Sequence, residues 1–501
     1  MRSILFLSDS VNRRCLRLYD QSGLHLPNLE RLARRSAVFD NHWTGSAPCM
    51  PARRDIMTGR LNFLERNWGP IEPIDVTLPM LLRENGVSTH MITDHYHYFE
   101  IGGEGYCQMF DEWELVRGQE KDPQLFPSGV GEQIPFAGQL PDRYMRNREQ
   151  FYREGDRYPS AVTIDMAARW LEENHDREDF FLWVEPFDPH EPFEVPQKYL
   201  DMLGDDYQGD LYIWPKYDKV HETPEQLRHI RNRYLALLYM TDEYLGKMLD
   251  VMDKYGLWED TAFVYTTDHG YMLGEHDYMA KNIMPAYNEV FHIPLVAHFP
   301  GDAHAGERFS GLTQNIDLLP TMLELYGLEH SEKDPTIHGK SLLGLLEGRE
   351  ARREAILYGY FGKEVNVFDG RYTYFRAGRN GNKPLHIYTS VPYDMRKMFH
   401  PHQMTDISRI EMGRFLSWTN YPVYRIPAED VINKKGSALC YNHQRPWEKV
   451  DYLFDLETDP GQEENLVESR PDLVERMSRV MAQAMRRHDA PADQLQRLDL
   501  E

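Results

Sequence analysis

One cysteine lies in the segment with the clearest chemical pattern of the chain. The run Cys49-Met50-Pro51-Ala52-Arg53 is followed, after four residues, by Thr58-Gly59-Arg60. Pro51 suits the first turn of a helix and Gly59 suits its end, so we expect Cys49 at a helix N-terminus, where unpaired N–H groups favour an anion. Arg53 lies one turn along the same face and can hold an oxygen atom carried by residue 49. The alternative is a buried cysteine beside a helix start, which is common.

Acidic side chains follow two apolar segments that are typical of buried strands. Asp9 comes directly after Ile4–Ser8, and Asp268 and His269 follow Ala262–Thr267. Because ligands of open α/β sheets gather at the carboxyl ends of the strands, we expect these three side chains to converge on one divalent cation. Asp9 taken alone would be interpreted as a turn residue.

Histidines and a lysine add candidates for proton transfer and anion binding. His95 and His97 follow the predicted strand Thr89–Thr93, His190 follows the predicted strand that ends at Glu185, and Lys281 lies downstream of the Asp268 segment. The first two histidines could instead lie in a surface loop or form a weak metal pair. An isolated histidine after a proline is usually only a loop residue.

Together these segments resemble the motifs of type I sulfatases, a family of the alkaline phosphatase superfamily. The cysteine segment is similar to the C-x-P-x-R…T-G-R signature, and Asp268 to Lys281 resembles the block D-[NH]-G-x-x-x-G-E-H…K. Four further segments are similar to family motifs: Phe187–His190, Ile316–Met322, His338–Leu343 and Tyr452–Pro460. The resemblance runs from Asp9 to about Leu466.

This resemblance implies a formylglycine, the aldehyde that a formylglycine-generating enzyme makes from the family cysteine, here Cys49. The implied catalytic residues are Cys49, Arg53, His97, His190 and Lys281, and the implied metal ligands are Asp9, Cys49, Asp268 and His269. Calcium is the favoured cation, and Mn²⁺ or Mg²⁺ are the alternatives. Two positions depart from the family: Ser10 replaces a common second aspartate, and His95, expected to contact the sulfate, replaces a lysine.

The expected activity is hydrolysis of a small anionic sulfate ester, such as an aryl or carbohydrate sulfate, by an arylsulfatase-like sulfuric ester hydrolase. Phosphonate monoester hydrolases share the cysteine motif and a metal site of one N-terminal aspartate plus Asp-His. Hydrolysis of phosphonate monoesters or phosphodiesters is therefore the nearest alternative. A third alternative is a non-catalytic binding protein in which Cys49 stays a thiol.

The composition of the chain limits which classes of partner and which cellular compartment are expected. The chain of 501 residues carries a net charge of −24, which argues against nucleic acid as a partner. Its apolar runs are too short for a bilayer, so no membrane association is expected, and no signal peptide is visible. Four cysteines in so long a chain argue against a disulfide framework, and we expect a cytoplasmic protein. Assembly into a homo-oligomer is left open.

The pattern of apolar segments predicts an α/β fold of the alkaline phosphatase type, with a mostly parallel sheet and helices on both faces. We expect a catalytic domain at residues 1–350 and a smaller α+β domain at 351–501. The predicted strands are Ile4–Ser8, Thr89–Thr93, Phe180–Glu185, Ala262–Thr267, Pro294–His298, Ala355–Tyr360, Tyr372–Arg376 and Tyr452–Leu456. The predicted helices are Leu26–Arg35, Ala161–Glu173, Glu225–Tyr255 with a break, Ile316–Tyr326 and Pro471–His488.

Two insertions lie outside the family resemblance, at about residues 102–158 and 385–447. Both are rich in aromatic and polar side chains: Tyr144, Tyr152, Tyr158, Tyr388, Tyr393, His400, His402 and Trp418. We expect the second insertion to reach over the strand ends and to form the wall that recognises the alcohol of the ester. The alternative is that these aromatic side chains pack in the interior or at an oligomer interface.

Overall fold

The structure is a computed structural model of the chain. It describes residues 1–124, 134–153, 157–328, 336–399, 404–431 and 449–501. His400, His402 and Cys440, which the sequence analysis considered, lie outside the described residues.

Strands in the described residues number as follows along the chain: β1 (Arg2–Ser8), β2 (Ala37–Trp43), β3 (Ser46–Ala47), β4 (Ser88–Thr93), β5 (Glu112–Leu115), β6 (Phe180–Glu185), β7 (Thr261–Thr267), β8 (Met272–Leu273), β9 (Met279–Ala280), β10 (His292–His298), β11 (Arg308–Gln314), β12 (Ile356–Tyr360), β13 (Val365–Phe368), β14 (Tyr372–Arg376), β15 (His386–Thr389), β16 (Glu411–Gly413), β17 (Val423–Pro427) and β18 (Tyr452–Asp455). The helices are α1 (Pro27–Ala33), α2 (Cys49–Thr58), α3 (Leu78–Glu84), α4 (Glu104–Cys107), α5 (Asp142–Asn147), α6 (Pro159–Glu173), α7 (Gln197–Met202), α8 (Pro224–Tyr255), α9 (Asn288–Phe291), α10 (Leu318–Leu325), α11 (Leu342–Leu346), α12 (Pro471–Arg487) and α13 (Ala492–Leu498).

The central sheet has eight strands in the order β11-β2-β10-β7-β1-β6-β4-β5. Strand β10 runs antiparallel to β2 and β7, and the other neighbours are parallel. The carboxyl ends of β1, β4, β6 and β7 therefore meet at one edge of the sheet, which is where the predicted site residues follow the strands.

Both faces of this sheet are covered by helices. Ile4 and Phe6 of β1 point into a core that contains residues of α1, α6 and α8. Leu5 and Leu7 point the opposite way, into a core that contains residues of α2, α3 and α10. A strand that is buried on both faces has a continuous run of apolar residues in its sequence, as β1 has. The predicted α/β fold, with a mostly parallel sheet between layers of helices, is confirmed.

Helix α8 differs from its prediction because it is continuous over 32 residues. Thr223 and Gln226 form a capping box at its start, and Gly256, with φ of 64°, ends it. Its buried residues recur along the whole length, and they pack against α1, α6 and α7, so no interruption is needed. Among the described residues, no helix combines the length and the apolar character that crossing a membrane requires.

Three strands of the sheet were not predicted: β2, β5 and β11. Strand β2 carries Asp40 and Asn41 in its middle, and the edge strands β5 and β11 are partly exposed. The patterns of β5 and β11 are weak because edge strands bury less of each residue, and the apolar run of β2 is interrupted by its two polar residues.

The C-terminal part contains a five-stranded sheet in the order β18-β14-β13-β12-β3 and a three-stranded sheet in the order β15-β17-β16. Helix α12 buries Met477, Met481 and Met485 against the first of these sheets. Strand β3 comes from the N-terminal part and pairs in parallel with β12, through Ser46 beside Gly359. The segment immediately before Cys49 thus belongs to the second sheet, and the division at residue 350 stays a prediction.

Candidate active site

Cys49 is the first residue of α2, as the sequence predicted, and Gly59 ends the helix with φ of 64°. The cysteine is 5% exposed, and its Sγ lies 3.3 Å from Nε2 of His269 and 3.5 Å from Nζ of Lys281. Burial raises the pKa of this thiol although Lys281 opposes the effect. The unmodified side chain is therefore a neutral thiol, which is a poor nucleophile.

Arg53 is fully buried and connects the three carboxylates beneath Cys49. Its Nη2 donates to Asp9 at 2.9 Å, its Nη1 to Asp268 at 2.5 Å and its Nε to Glu185 at 2.6 Å. The same Nη1 donates to the backbone carbonyl of Cys49 at 3.1 Å, one helical turn earlier. Since every partner is fixed by a strand end or by the helix, the guanidinium is held in one orientation.

The predicted metal ligands converge. One donor atom from each of Asp9, Cys49, Asp268 and His269 lies within 4.8 Å of the others, and all four residues are buried. Atoms that bind one ion at about 2.1–2.4 Å can be at most about 4.8 Å apart, so these distances suit a shared cation. Nδ1 of His269 donates to the carbonyl of Gly270 at 2.8 Å, which leaves Nε2 free to act as a ligand. The donor set therefore fits a divalent cation.

Ser10 replaces a carboxylate but still contributes to the cluster. Its backbone N–H donates to Asp268 at 3.0 Å and its hydroxyl donates to Asp9 at 2.5 Å. Lys281 in turn donates to the hydroxyl at 3.0 Å. The serine, with φ of 66°, links the two ligands without adding negative charge.

Lys281 and His190 face the same cavity as Cys49. Burial opposes the charge of Lys281, but Cys49, Asp9 and Glu191 outweigh it and raise the pKa of the ammonium group. His190 behaves in the opposite way, because burial and then Lys281 lower the pKa of the imidazole. Nδ1 of His190 donates to the carbonyl of Glu191 at 2.5 Å, which fixes the ring. Near neutral pH, Lys281 is the group that carries a proton.

His95 is fully buried, and neither ring nitrogen has a hydrogen-bond partner in the described structure. Its Nε2 lies 3.9 Å from Asp9, and its ring contacts those of His97 and Phe187. Burial and then Arg53 lower the pKa of His95 well below its usual range. The ring is neutral, so it does not supply the positive charge of the lysine that is usual in sulfatases.

His97 lies at the rim of the cavity. Its Nδ1 lies 2.7 Å from Oε2 of Glu100, and the ring makes an edge contact with Trp68. Arg396 approaches the same carboxylate oxygen of Glu100 at 3.3 Å. The structure thus places all the sequence-predicted residues around Cys49, and their individual roles in catalysis stay predictions.

Glu185, the last residue of β6, was not identified from the sequence. It is fully buried and accepts hydrogen bonds from Arg53, from Tyr98 at 2.8 Å and from Trp183 at 2.8 Å. Burial raises its pKa to about 7 although Arg53 opposes the effect. The available signal was a glutamate at the end of a wholly apolar strand, because a buried carboxylate requires a partner.

We expect Glu185→Gln to lower kcat/KM for a sulfate ester by about 10- to 100-fold, because a charge-assisted hydrogen bond to Arg53 is lost. Glu65→Gln is the matched control, since Glu65 is equally buried and accepts from Trp418 at 2.7 Å outside the site. Steady-state kinetics and thermal unfolding of both variants check this expectation. Equal kcat/KM values for the two variants would contradict a positioning role.

The site opens into a cavity of about 430 Å³. The first insertion contributes Glu120, Lys121 and Gln139 to its lining, and residues 214–218 contribute Trp214, Lys216, Tyr217 and Asp218. From the described part of the second insertion only Arg396 reaches it. Among the described residues, the first insertion therefore contributes more of the cavity lining than the second, and recognition of the alcohol by the second insertion stays a prediction.

The aromatic residues singled out in the insertions mainly pack in the interior. Tyr144 and Tyr152 join a core with Trp214, whereas Tyr388 and Trp418 join another with Val423. These side chains pack in the interior because burying the large apolar area of each ring stabilises the fold.

Comparison with known proteins agrees with this geometry. The Sulfatase family model matches residues 3–328. The N-acetylglucosamine-6-O-sulfatase of Bacteroides thetaiotaomicron is 23% identical, with 81% of this chain and 82% of that protein covered. The choline-sulfatase of Rhizobium meliloti is 24% identical, with 74% and 77% covered. The crystal structure of the phosphonate monoester hydrolase of Agrobacterium radiobacter superposes with a TM-score of 0.67 at 17% identity, with 97% and 96% covered.

The likeness to the hydrolase structure is one of fold, since identity is low. The family match spans nearly all of the central sheet and every sequence-predicted site residue placed around Cys49. The chain is a member of the Sulfatase family.

Proposed function

We propose that this sulfatase hydrolyses a sulfate ester of an alcohol or phenol, using a formylglycine made from Cys49 and one divalent cation. The observation that carries the proposal is the convergence of Cys49, Arg53 and Lys281 with the two aspartates and His269 at the floor of one cavity. The sulfur atom of Cys49 stands where the oxygen atoms of a hydrated aldehyde would lie. Hydrated formylglycine supplies a nucleophilic hydroxyl and a second hydroxyl that allows release of sulfate.

The cation would be held by Asp9, Asp268, His269 and residue 49. When bound, it supplies positive charge that acidifies the nucleophile and offsets charge on the sulfate. An imidazole nitrogen in the donor set and Ser10 in place of a carboxylate weigh against Ca²⁺, which prefers six to eight oxygen ligands. We therefore favour Mn²⁺ over Ca²⁺ for this chain.

The charges of the site suit an anionic substrate once a cation is present. Arg53 and Lys281 bring two positive charges, and Asp9, Asp268 and Glu185 bring three negative ones, a sum of −1 that a divalent cation changes to +1. Lys281 lies 3.7 Å from Asp9 and 3.5 Å from Cys49, within reach of an oxygen atom of a bound sulfate. It binds and orients the ester.

Proton transfer divides among three residues. Lys281 holds its proton and donates it to the oxygen atom of the departing alcohol. His190 donates from Nδ1 to the carbonyl of Glu191, so its unprotonated Nε2 would accept the proton that the attacking hydroxyl of residue 49 loses. His97, oriented by Glu100, accepts the proton that must leave the second hydroxyl of residue 49.

Two measurements test the proposal. Mass spectrometry of the tryptic peptide that contains Cys49 should show the mass of formylglycine in protein made with a formylglycine-generating enzyme. The same protein should hydrolyse 4-nitrophenyl sulfate with a higher kcat/KM than a phenyl phosphonate monoester. An unmodified cysteine in fully active protein would exclude the mechanism.

Phosphonate monoester or phosphodiester hydrolysis is the second candidate. The observation that favours it is the ligand set of one N-terminal aspartate with Asp268 and His269, since Ser10 replaces the second aspartate common in sulfatases. A higher kcat/KM for the phosphonate in the paired assay would select this activity.

A further inference from the structure

Two buried glutamates line the cavity beside His190. Glu191 is 1% exposed and Glu120 is 4% exposed. One oxygen of each, together with a ring nitrogen of His190, falls in a group whose members lie within 4.8 Å of one another. Both side chains border the space that a substrate bound at Cys49 would occupy.

Each glutamate is anchored through one oxygen by a tyrosine. Tyr217 donates to Oε1 of Glu191, and Tyr96 donates to Oε2 of Glu120 at 3.1 Å. The remaining oxygens, Oε2 of Glu191 and Oε1 of Glu120, lie 3.4 Å and 3.7 Å from Nδ1 of His190. Nδ1 of His190 donates its hydrogen bond to the backbone carbonyl of Glu191 instead. Oε2 of Glu191 is therefore left without a hydrogen-bond partner.

No lysine or arginine nitrogen in the described residues lies within 4.0 Å of either carboxylate. Lys281 acts on Glu191 only at longer range, and it already contacts Asp9 and Ser10. Burial and the charge of Glu120 together raise the pKa of Glu191 to about 7, although Lys281 opposes the effect. Two buried carboxylates without a cation are costly, so the pair is incomplete as it stands.

A metal ion is a poor occupant of this pair. Nδ1 of His190 carries a proton for the carbonyl of Glu191 and has no lone pair to offer. Two carboxylate oxygens alone would remain as protein ligands, fewer than the donor set beneath Cys49 provides. An ammonium group needs hydrogen-bond acceptors instead. A tetrahedral ammonium nitrogen that donates at about 2.8 Å to two oxygens bridges a separation of about 4.6 Å.

The surroundings also suit a cation next to a sulfate. Tyr217 borders the cavity, and an aromatic ring stabilises a cation nearby, whereas the rings of Trp68 and Trp214 already contact Arg396 and Lys121. Arg396 is paired with Glu100 and stacked on Trp68, so its charge is already engaged. The net charge of −24 attracts a substrate with a positive group more than a polyanion.

We propose that Glu191 and Glu120 form an ammonium subsite, and that the alcohol of the natural ester carries a primary amino group, as in an amino sugar or an amino alcohol. The subsite rests on the proposed sulfatase function for its orientation toward Cys49. Lys281 holds the sulfate end, and the two glutamates hold the ammonium end of one zwitterionic substrate.

The test compares two esters that differ in charge, D-glucosamine 6-sulfate and D-glucose 6-sulfate. Wild type should hydrolyse the first with at least a 10-fold higher kcat/KM. Glu191→Gln should lower kcat/KM for the amino ester by about 10- to 100-fold and change the neutral ester by less than about threefold. Glu120→Gln should show the same selectivity.

Glu65→Gln is the matched control, because Glu65 is a buried carboxylate outside the cavity lining and accepts from Trp418 at 2.7 Å. It should change both esters equally and by about twofold or less. Equal losses on both esters in Glu191→Gln, or no preference in wild type, would overturn the subsite.

Calorimetric binding of free D-glucosamine and D-glucose separates this proposal from the sulfatase proposal. Preference for D-glucosamine in wild type, lost in Glu191→Gln, would support the subsite even if neither sugar ester were hydrolysed. The sulfatase proposal would fall only if 4-nitrophenyl sulfate were not hydrolysed either. Equal binding of the two sugars would overturn the subsite while leaving sulfatase activity unaffected.

Discussion

Cys49→Ala is expected to lower kcat for a sulfate ester by on the order of 10⁴-fold or more, because the residue proposed as the source of the nucleophile is removed. The fold should persist, since the side chain is small and α2 keeps its other buried contacts. The change in thermal unfolding should correspond to about 1 kcal/mol, typical for one substitution. Steady-state kinetics and calorimetric unfolding measure both effects.

Cys49→Ser separates the formylglycine mechanism from simple hydroxyl attack. A serine has one hydroxyl, so it can accept the sulfuryl group but has no second hydroxyl with which to release it. We expect stoichiometric release of alcohol, then arrest, with protein that has gained one sulfuryl group by mass spectrometry.

Cys107→Ala is the control for both variants. Cys107 is 2% exposed and is therefore buried, as Cys49 is. Its Sγ contacts the sulfur of Met91, away from the site. This variant should retain wild-type kcat. Steady multiple turnover by Cys49→Ser at a rate near that of wild type would refute the formylglycine mechanism.

Asp268→Asn is expected to lower both metal content and kcat/KM, the latter by about 10³-fold. The carboxylate contributes to the cation cluster, accepts from Arg53 at 2.5 Å and accepts from the backbone of Ser10 at 3.0 Å. Asparagine is similar in shape but lacks the negative charge that a hard cation requires. Elemental analysis of the purified variant should show less bound metal per chain than wild type.

Chelation tests the same site without a substitution. Wild type freed of metal should be inactive, and Mn²⁺ should restore more activity than Ca²⁺ because of the imidazole nitrogen of His269. Full activity in protein shown by elemental analysis to contain no divalent metal would contradict the proposal.

Asp242→Asn is the matched control for Asp268→Asn. Asp242 is also buried, but it accepts from the backbone of Asn28 and Leu29 at the start of α1, away from Cys49. This variant should lose stability while keeping its metal and its kcat. A similar loss of metal in both variants would mean that Asp268→Asn loses its metal because the fold is disturbed, and not because a ligand is removed.

The sequence alone predicted which residues of the site come together, because their positions depend on local order along the chain. Cys49 and Arg53 are one helical turn apart, so their proximity follows from helix geometry. Asp9, Asp268 and His190 follow apolar strands, and the carboxyl ends of parallel strands share one edge. The apolar run of β1 likewise indicated burial on both faces.

Only the tertiary structure decided which side chains surround these residues. Glu185 lies 132 positions from Arg53 along the chain, and Glu120 lies 71 positions from Glu191. The role of the first insertion in the cavity wall depends in the same way on how distant segments pack. Short-range patterns contain no information on such contacts, because burial and charge pairing of a glutamate are set by neighbours that the fold brings together from elsewhere in the chain.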